Sequence, residues 1–255
     1  MARTEHPALG ASTMPWNAPI YPAFPIAFRD VTILTVLWRT APEAIAAILP
    51  PPLKMTRPIV AAQIYTMPDI DRMGAVNECN IMVAAEIGEG ADRVAGGFSI
   101  LLLLNSDAGI AHGREVHGQP KKGGNPSLRV DGDLTVGRVE RNGIDILTAT
   151  TPYKHRRSEL AELVGYCDFA ENLNYKVIPN IDGTDGMRQI TARRLRAITV
   201  HEFWAGEATV ELRPNAQAPI WKLPVVEPLV AFHWRADFTL QPGRIVHDYL
   251  KAGRS

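Results

Sequence analysis

Two lysines stand side by side, Lys121 and Lys122, in the stretch His112–Pro126, HGREVHGQPKKGGNP, between a proline and a pair of glycines and just beyond a long apolar run. A solvated turn is the ordinary use of such a pair. A lysine whose amine is neutral is instead a nucleophile toward ketones. The free ammonium has a pKa of ~10.4, so under roughly a thousandth of it is unprotonated at neutral pH. Desolvation and a nearby cation both raise that fraction. Successive side chains of an extended segment point to opposite faces. Burial of one lysine in an apolar pocket is therefore expected to do most of the work, with its neighbour a smaller or indirect influence.

Other groups in the same stretch suggest different chemistry less well. His112 and His117 are five residues apart, whereas two zinc ligands on one helix favour a spacing of four, and no third ligand is evident, so no metal is expected. Arg114 and Glu115 are expected to pair with other groups and hold the lysine loop. The glycines around Lys121 do not follow a strand and open a helix, so no dinucleotide or phosphate site is expected. No cofactor is expected either, because an imine-forming lysine supplies its own electron sink.

The elements that must position these groups are mostly strands. In VAFHWRADFTL, Val230, Phe232, Trp234, Ala236, Phe238 and Leu240 share one face, the period-two mark of a half-buried strand. Noisier alternation begins at Val31, Ile59, Asn80, Gly97, Asp133, Gly143, Arg194 and Glu207. The stretches GEGADRVAGG, ERNGID and NIDGTDG supply hairpin corners. Helices are few. TAPEAIAAIL carries Thr40 as N-cap with Glu43 three residues on, a capping box. SELAELVGYC from Ser158 is amphipathic, and a short helical turn is expected after Ser106 or Asp107. The pattern predicts a single α+β domain over residues 21–255, built on a mostly antiparallel, barrel-like sheet with a few short helices, preceded by a proline-rich extended arm over residues 1–20.

Composition narrows the partners. Lys plus Arg balances Asp plus Glu at 27 each in 255 residues, without the basic excess of a nucleic-acid binder. The most apolar windows, such as Phe98–Leu104, are too short to cross a bilayer as a helix, so no membrane partner is expected. The N-terminal stretch lacks the apolar segment of a secretory signal. Cys79 and Cys167, in apolar segments without paired spacing, suggest buried free thiols in a reducing cytoplasm.

The segment GREVHGQPKK also resembles the active-site segment of the acetoacetate decarboxylase family, itself a standard example of a lysine activated by desolvation or a cationic neighbour. YPAFP, LWRT, TATTPYKH, VIPNIDG, ITVHEFW and HDYLK stand in the family's order, so the resemblance spans about Tyr21 to Lys251. It implies that Lys121 is the Schiff-base nucleophile and Lys122 its cationic neighbour, and that Glu78, in GAVNECN, is a proton-transferring acid or base. It also implies a homo-oligomer acting on a small keto acid.

Three positions depart from the decarboxylating members while falling on the substrate-facing side of the match. Val31 stands where they carry an arginine, Gln63 where they carry a second acid, and Gln119 where an aromatic is frequent. Arg29 is close in sequence to Val31, yet an ungapped match does not place it there. Three readings stay open. One is decarboxylation of a 3-oxo acid through a lysine enamine. Another is an aldolase-dehydratase joining pyruvate or another 2-oxo acid to an aldehyde. The last is a barrel that binds a small ligand without chemistry.

Overall fold

The segment Val230–Leu240 becomes the heart of a long strand paired on both sides within the main sheet, and the residues predicted to share its inner face are all buried. The computed structural model describes residues 19–166 and 169–252. In chain order the elements are β1 (Ile26–Arg39), α1 (Pro42–Ala46), β2 (Lys54–Ile70), β3 (Gly74–Ile87), β4 (Val94–Leu104), α2 (Asp107–His112) and β5 (Lys121–Gly123). Next come β6 (Asn125–Asp131), β7 (Leu134–Arg141), β8 (Ile144–Pro152), β9 (Arg156–Arg157), α3 (Leu160–Tyr166), β10 (Asn172–Pro179) and β11 (Asp185–Arg193). The chain continues through β12 (Leu195–Gly206), β13 (Thr209–Leu212), β14 (Glu227–Leu240), β15 (Arg244–Asp248) and α4 (Tyr249–Ala252).

The main sheet has the order β15-β11-β10-β4-β3-β2-β1-β14-β12-β9, and β5 also pairs with β4. Its pairings are antiparallel except β4 with β10 and β4 with β5. It curls but does not close: β15 and β9 are free ends, so the barrel-like expectation holds only loosely. A second sheet, β13-β8-β7-β6, shares one apolar core with the first through Leu34, Ile64 and Ile81 on one side and Val139, Ile146 and Leu147 on the other. Each such fully buried side chain stabilises the fold by about 1.5–3 kcal/mol. The opposite face of the main sheet carries a second core around Phe232, Trp234 and Phe238.

The hairpin corners lie where expected. Asn142 and Gly143, both at positive φ, turn β7 into β8, and the NIDGTDG corner joins β10 to β11. Ser106 caps α2 by accepting from the Gly109 amide at 3.1 Å. The capping box at Thr40 does not form. Proline at the first helical position moves the N-cap to Ala41, Thr40 donates its amide to the Pro58 carbonyl, and its hydroxyl is buried without a partner. That helix is also shorter than its sequence pattern, ending at Ala46. Cys79 is a buried free thiol, whereas Cys167 and nearly all of the N-terminal arm lie outside the described residues.

Candidate active site

Lys121 opens β5, a three-residue strand laid parallel to β4 with Lys121 opposite Leu102 and Lys122 opposite Leu103. The chain reaches it through a π-helical turn over Gly113–His117 that ends on Gly118 at φ 76°. The turn is fastened to the strand beyond it: Gln119 donates its amide to the Gly113 carbonyl at 2.9 Å, and Arg114 donates a guanidinium N–H to the Lys121 carbonyl at 3.1 Å. Glu115 accepts from the Tyr21 hydroxyl at 2.7 Å. Gly113 has a steric role. A Cβ there would lie 2.4 Å from Cδ of Lys121 and 2.7 Å from its Cε, so the missing side chain is the slot through which the lysine stem passes.

The amine of Lys121 ends 2.7 Å from Oε2 of Glu78, with only 10% and 12% of the two side chains exposed. Glu78 sits on β3, opposite Tyr65 of β2 and Leu104 of β4. The pair faces a cavity of about 60 Å³ walled largely by apolar groups, among them Phe28, Ile70, Met73, Val76, Leu104 and Phe238. Its polar lining comes from Tyr65, His112, Gln119 and Arg193. Gln119 is buried and donates its amide N–H to Asn172 at 3.3 Å.

Burial governs the electrostatics around the pair. It pushes the His112 imidazole down to about 4, with Lys121 and then Arg193 adding to the effect, so this ring is neutral near pH 7. His117 is pushed down to about 2, again by burial first and Arg193 next. The two rings meet edge-on at 5.3 Å, each also in edge contact with Phe24. The Tyr65 phenol is raised by burial, with a smaller contribution from Glu78, and donates its hydrogen to Gln63.

Glu78, Gln119 and Lys121 are thus brought to one cavity. Gln63 faces an adjoining cavity of about 200 Å³ that shares Tyr65, Arg193 and Leu195 with the first. Val31 lines neither. It is fully buried beyond a bulge in the β1–β14 pairing and belongs to the packed core. Arg29 is on the surface, paired with Asp69 and Asp71. Lys122 points away from Lys121, as strand alternation dictates, and donates to the Gln217 carbonyl at 2.9 Å beside a third cavity of about 400 Å³.

Sequence reasoning passed over Tyr65 and Arg193. The signal for Arg193 lies in GMRQITAR, where Ile190 and Ala192 take the core face and leave Thr191 and Arg193 on the other. Read without its strand, Arg193-Arg194 resembles an exposed charge pair.

The geometry thus places a buried amine beside a carboxylate in a small, largely apolar cavity. The family model described as "Acetoacetate decarboxylase (ADC)" matches residues 12–250. The acetoacetate decarboxylase of Bordetella avium is 36% identical over 240 residues, covering 94% of this chain and 96% of that protein. A crystal structure of acetoacetate decarboxylase from Legionella pneumophila superposes with a TM-score of 0.87 at 34% identity, covering 95% of each chain. The enduracididine biosynthesis enzyme MppR, solved with pyruvate, shares the fold at a TM-score of 0.75 with 17% identity over 91% of this chain and 94% of that one, too distant to favour the aldolase-dehydratase alternative. With that much of the chain matched and a decarboxylating lyase as the shared chemistry, the protein belongs to the acetoacetate decarboxylase family.

Proposed function

We propose that this chain decarboxylates acetoacetate or a close 3-oxo acid through a Schiff base on Lys121. The observation that carries this reading is the 2.7 Å contact between the Lys121 amine and the Glu78 carboxylate inside an apolar cavity. Attack on a ketone requires a neutral amine. Glu78 is placed to take the ammonium proton, leaving an amine and a carboxylic acid, both neutral, in surroundings that disfavour separated charge. The amine adds to the C3 carbonyl. The carbinolamine loses water with a proton returned from Glu78, giving the protonated imine. The C1–C2 bond then breaks and its electron pair flows to the imine nitrogen, releasing carbon dioxide and leaving an enamine. Protonation at C2 and hydrolysis free acetone and restore Lys121. Apolar walls assist the bond-breaking step because the charge of the carboxylate disperses in its transition state.

In this reading, burial and the Glu78 contact, rather than contact with Lys122, prepare the nucleophile. The test is borohydride reduction in the presence of acetoacetate. We expect an isopropyl group on Lys121, located by peptide mass mapping, and none on Lys121→Arg. Turnover by Lys121→Arg, or an adduct elsewhere, would overturn the assignment. Self-association belongs to the same proposal. Trp221 and Val226 are exposed close together in sequence, and light scattering after size-exclusion chromatography reads the assembled mass.

A further inference from the structure

The cation absent at position 31 has a counterpart on another strand. Arg193, the last residue of β11, lies in the wall common to the 60 Å³ lysine cavity and the 200 Å³ cavity beside it. Its Nε is buried without a hydrogen-bond partner, and among the described residues no carboxylate lies within ion-pair distance of it. The next residue behaves differently: Arg194 pairs with Glu171 at 3.1 Å, where Arg244 also binds. Glu78 and Tyr65 are the groups whose fields reach Arg193, and Glu78 is already engaged by Lys121.

The charges of the site can be counted from these groups. Lys121 and Glu78 cancel, His112 is neutral, and the guanidinium of Arg193 leaves one positive charge facing the cavity. A guanidinium stays protonated in a protein interior, and burying one without a counter-ion is costly. Its planar fork suits a carboxylate. A 3-oxo acid carries one carboxylate, two bonds from the ketone that Lys121 would attack.

We propose that Arg193 binds the substrate carboxylate and so restricts the site to anionic keto acids, supplying from β11 the cation that β1 lacks at Val31. The proposal rests on the Lys121 reading only for where the ketone sits. Its mechanistic consequence is asymmetric. The carboxylate that Arg193 holds becomes neutral carbon dioxide, so the contact is strongest in the ground state and weakens as the C–C bond breaks. Arg193 is therefore a binding residue, and its loss raises KM without lowering kcat.

Two probes separate the proposal from the reading beneath it. 3-Hydroxybutyrate keeps the carboxylate but has no ketone, so calorimetric titration reports anion binding without any imine. Acetylacetone is a neutral 1,3-diketone, so the conjugated enaminone it forms with an amine, read by its near-ultraviolet absorbance, reports Lys121 without any anion. In Arg193→Met we expect 3-hydroxybutyrate binding and KM for acetoacetate to weaken roughly 10- to 100-fold, the effect of losing a charge-assisted hydrogen-bonded pair. Arg193→Lys, a point charge without the fork, should fall between. The acetylacetone adduct should still form in both. Wild-type affinity for 3-hydroxybutyrate in Arg193→Met overturns the proposal, and so does equal loss of the anionic and neutral probes. If Arg193→Met does not fold, Arg193→Lys decides, because anion binding equal to wild type there overturns the proposal too. Failure of wild-type protein to form the acetylacetone adduct, with anion binding still dependent on Arg193, would sink the Lys121 reading and leave this one standing.

Discussion

On one face of β5 the amine of Lys121 meets Glu78 in a cavity of about 60 Å³, beside two neutral histidines. On the other face the amine of Lys122 donates to the Gln217 carbonyl, beside a wider cavity whose wall also carries Arg114 and Lys222. The two residues are adjacent in the chain, yet a pleated strand sends them to different solvents. One ammonium is offered a proton acceptor among buried, largely apolar groups; the other has a neutral carbonyl and a half-buried setting. Adjacency in sequence does not imply electrostatic contact, and the environment of each face determines what its lysine can do.

The comparison can be broken most forcefully at Glu78. Glu78→Gln removes the proton acceptor while preserving shape, and kcat/KM for acetoacetate should fall roughly a hundred- to ten-thousandfold, within the range for losing a general acid or base. A fall of less than tenfold would mean that the carboxylate is a structural partner of Lys121 and nothing more.

A second test uses the histidines of the lysine face. The unfolded chain protonates His112 and His117 near pH 6.5, whereas the folded one resists until about 4 and about 2. Stability is therefore full above pH 6.5 and declines as pH falls toward 4, because the unfolded state binds two more protons. These two rings contribute a slope of about 2.7 kcal/mol per pH unit once both are charged in the unfolded state, and His233, also held down by burial, adds in the same direction. Denaturant titrations of wild type and His117→Leu between pH 7.5 and 5 check this, the slope of the variant being shallower by about 1.4 kcal/mol per pH unit.

Smaller effects sharpen the contrast. Gly113→Ala places a methyl group in the slot of the lysine stem without requiring positive φ, so the flexible stem shifts and the backbone stays. Activity should drop roughly 10- to 100-fold with the melting temperature nearly kept, since displacement of a reacting group by about an ångström is enough. Smallest of all, Lys122→Ala should change kcat/KM by less than about threefold at physiological salt, because a charge on the far face is screened. A large loss there would restore Lys122 to the chemistry.

Much of the scaffold was legible because strands with one buried face alternate, as β14 does with Phe232, Trp234 and Phe238 inward. β10 and β11 were less so. Asn172 and Asn174 are buried polar residues of β10, and Thr191 donates its hydroxyl to the His117 carbonyl, so polarity no longer marks the outer face. β5 is too short to show any period. In the site, the lysine pair drew notice from its chemistry, whereas Glu78 drew it only from the family resemblance. Neither could reveal Arg193. Its burial depends on walls that β1, β2 and β14 bring against the end of β11 through Phe28, Tyr65 and Phe238, segments far apart in the chain. Thr40 failed as a cap for a local reason that the sequence did contain, the proline two residues on.

The slot at Gly113 bears on the timing of entropy loss. A lysine side chain has four rotatable bonds, and confining one costs about 1.5–2 kcal/mol of rotamer freedom. Here the confinement accompanies folding, since the stem is threaded past Gly113 and tethered to Glu78 by the fold itself. The encounter with a ketone then need not freeze those torsions, which spares the first bond-forming step a barrier worth roughly tenfold in rate.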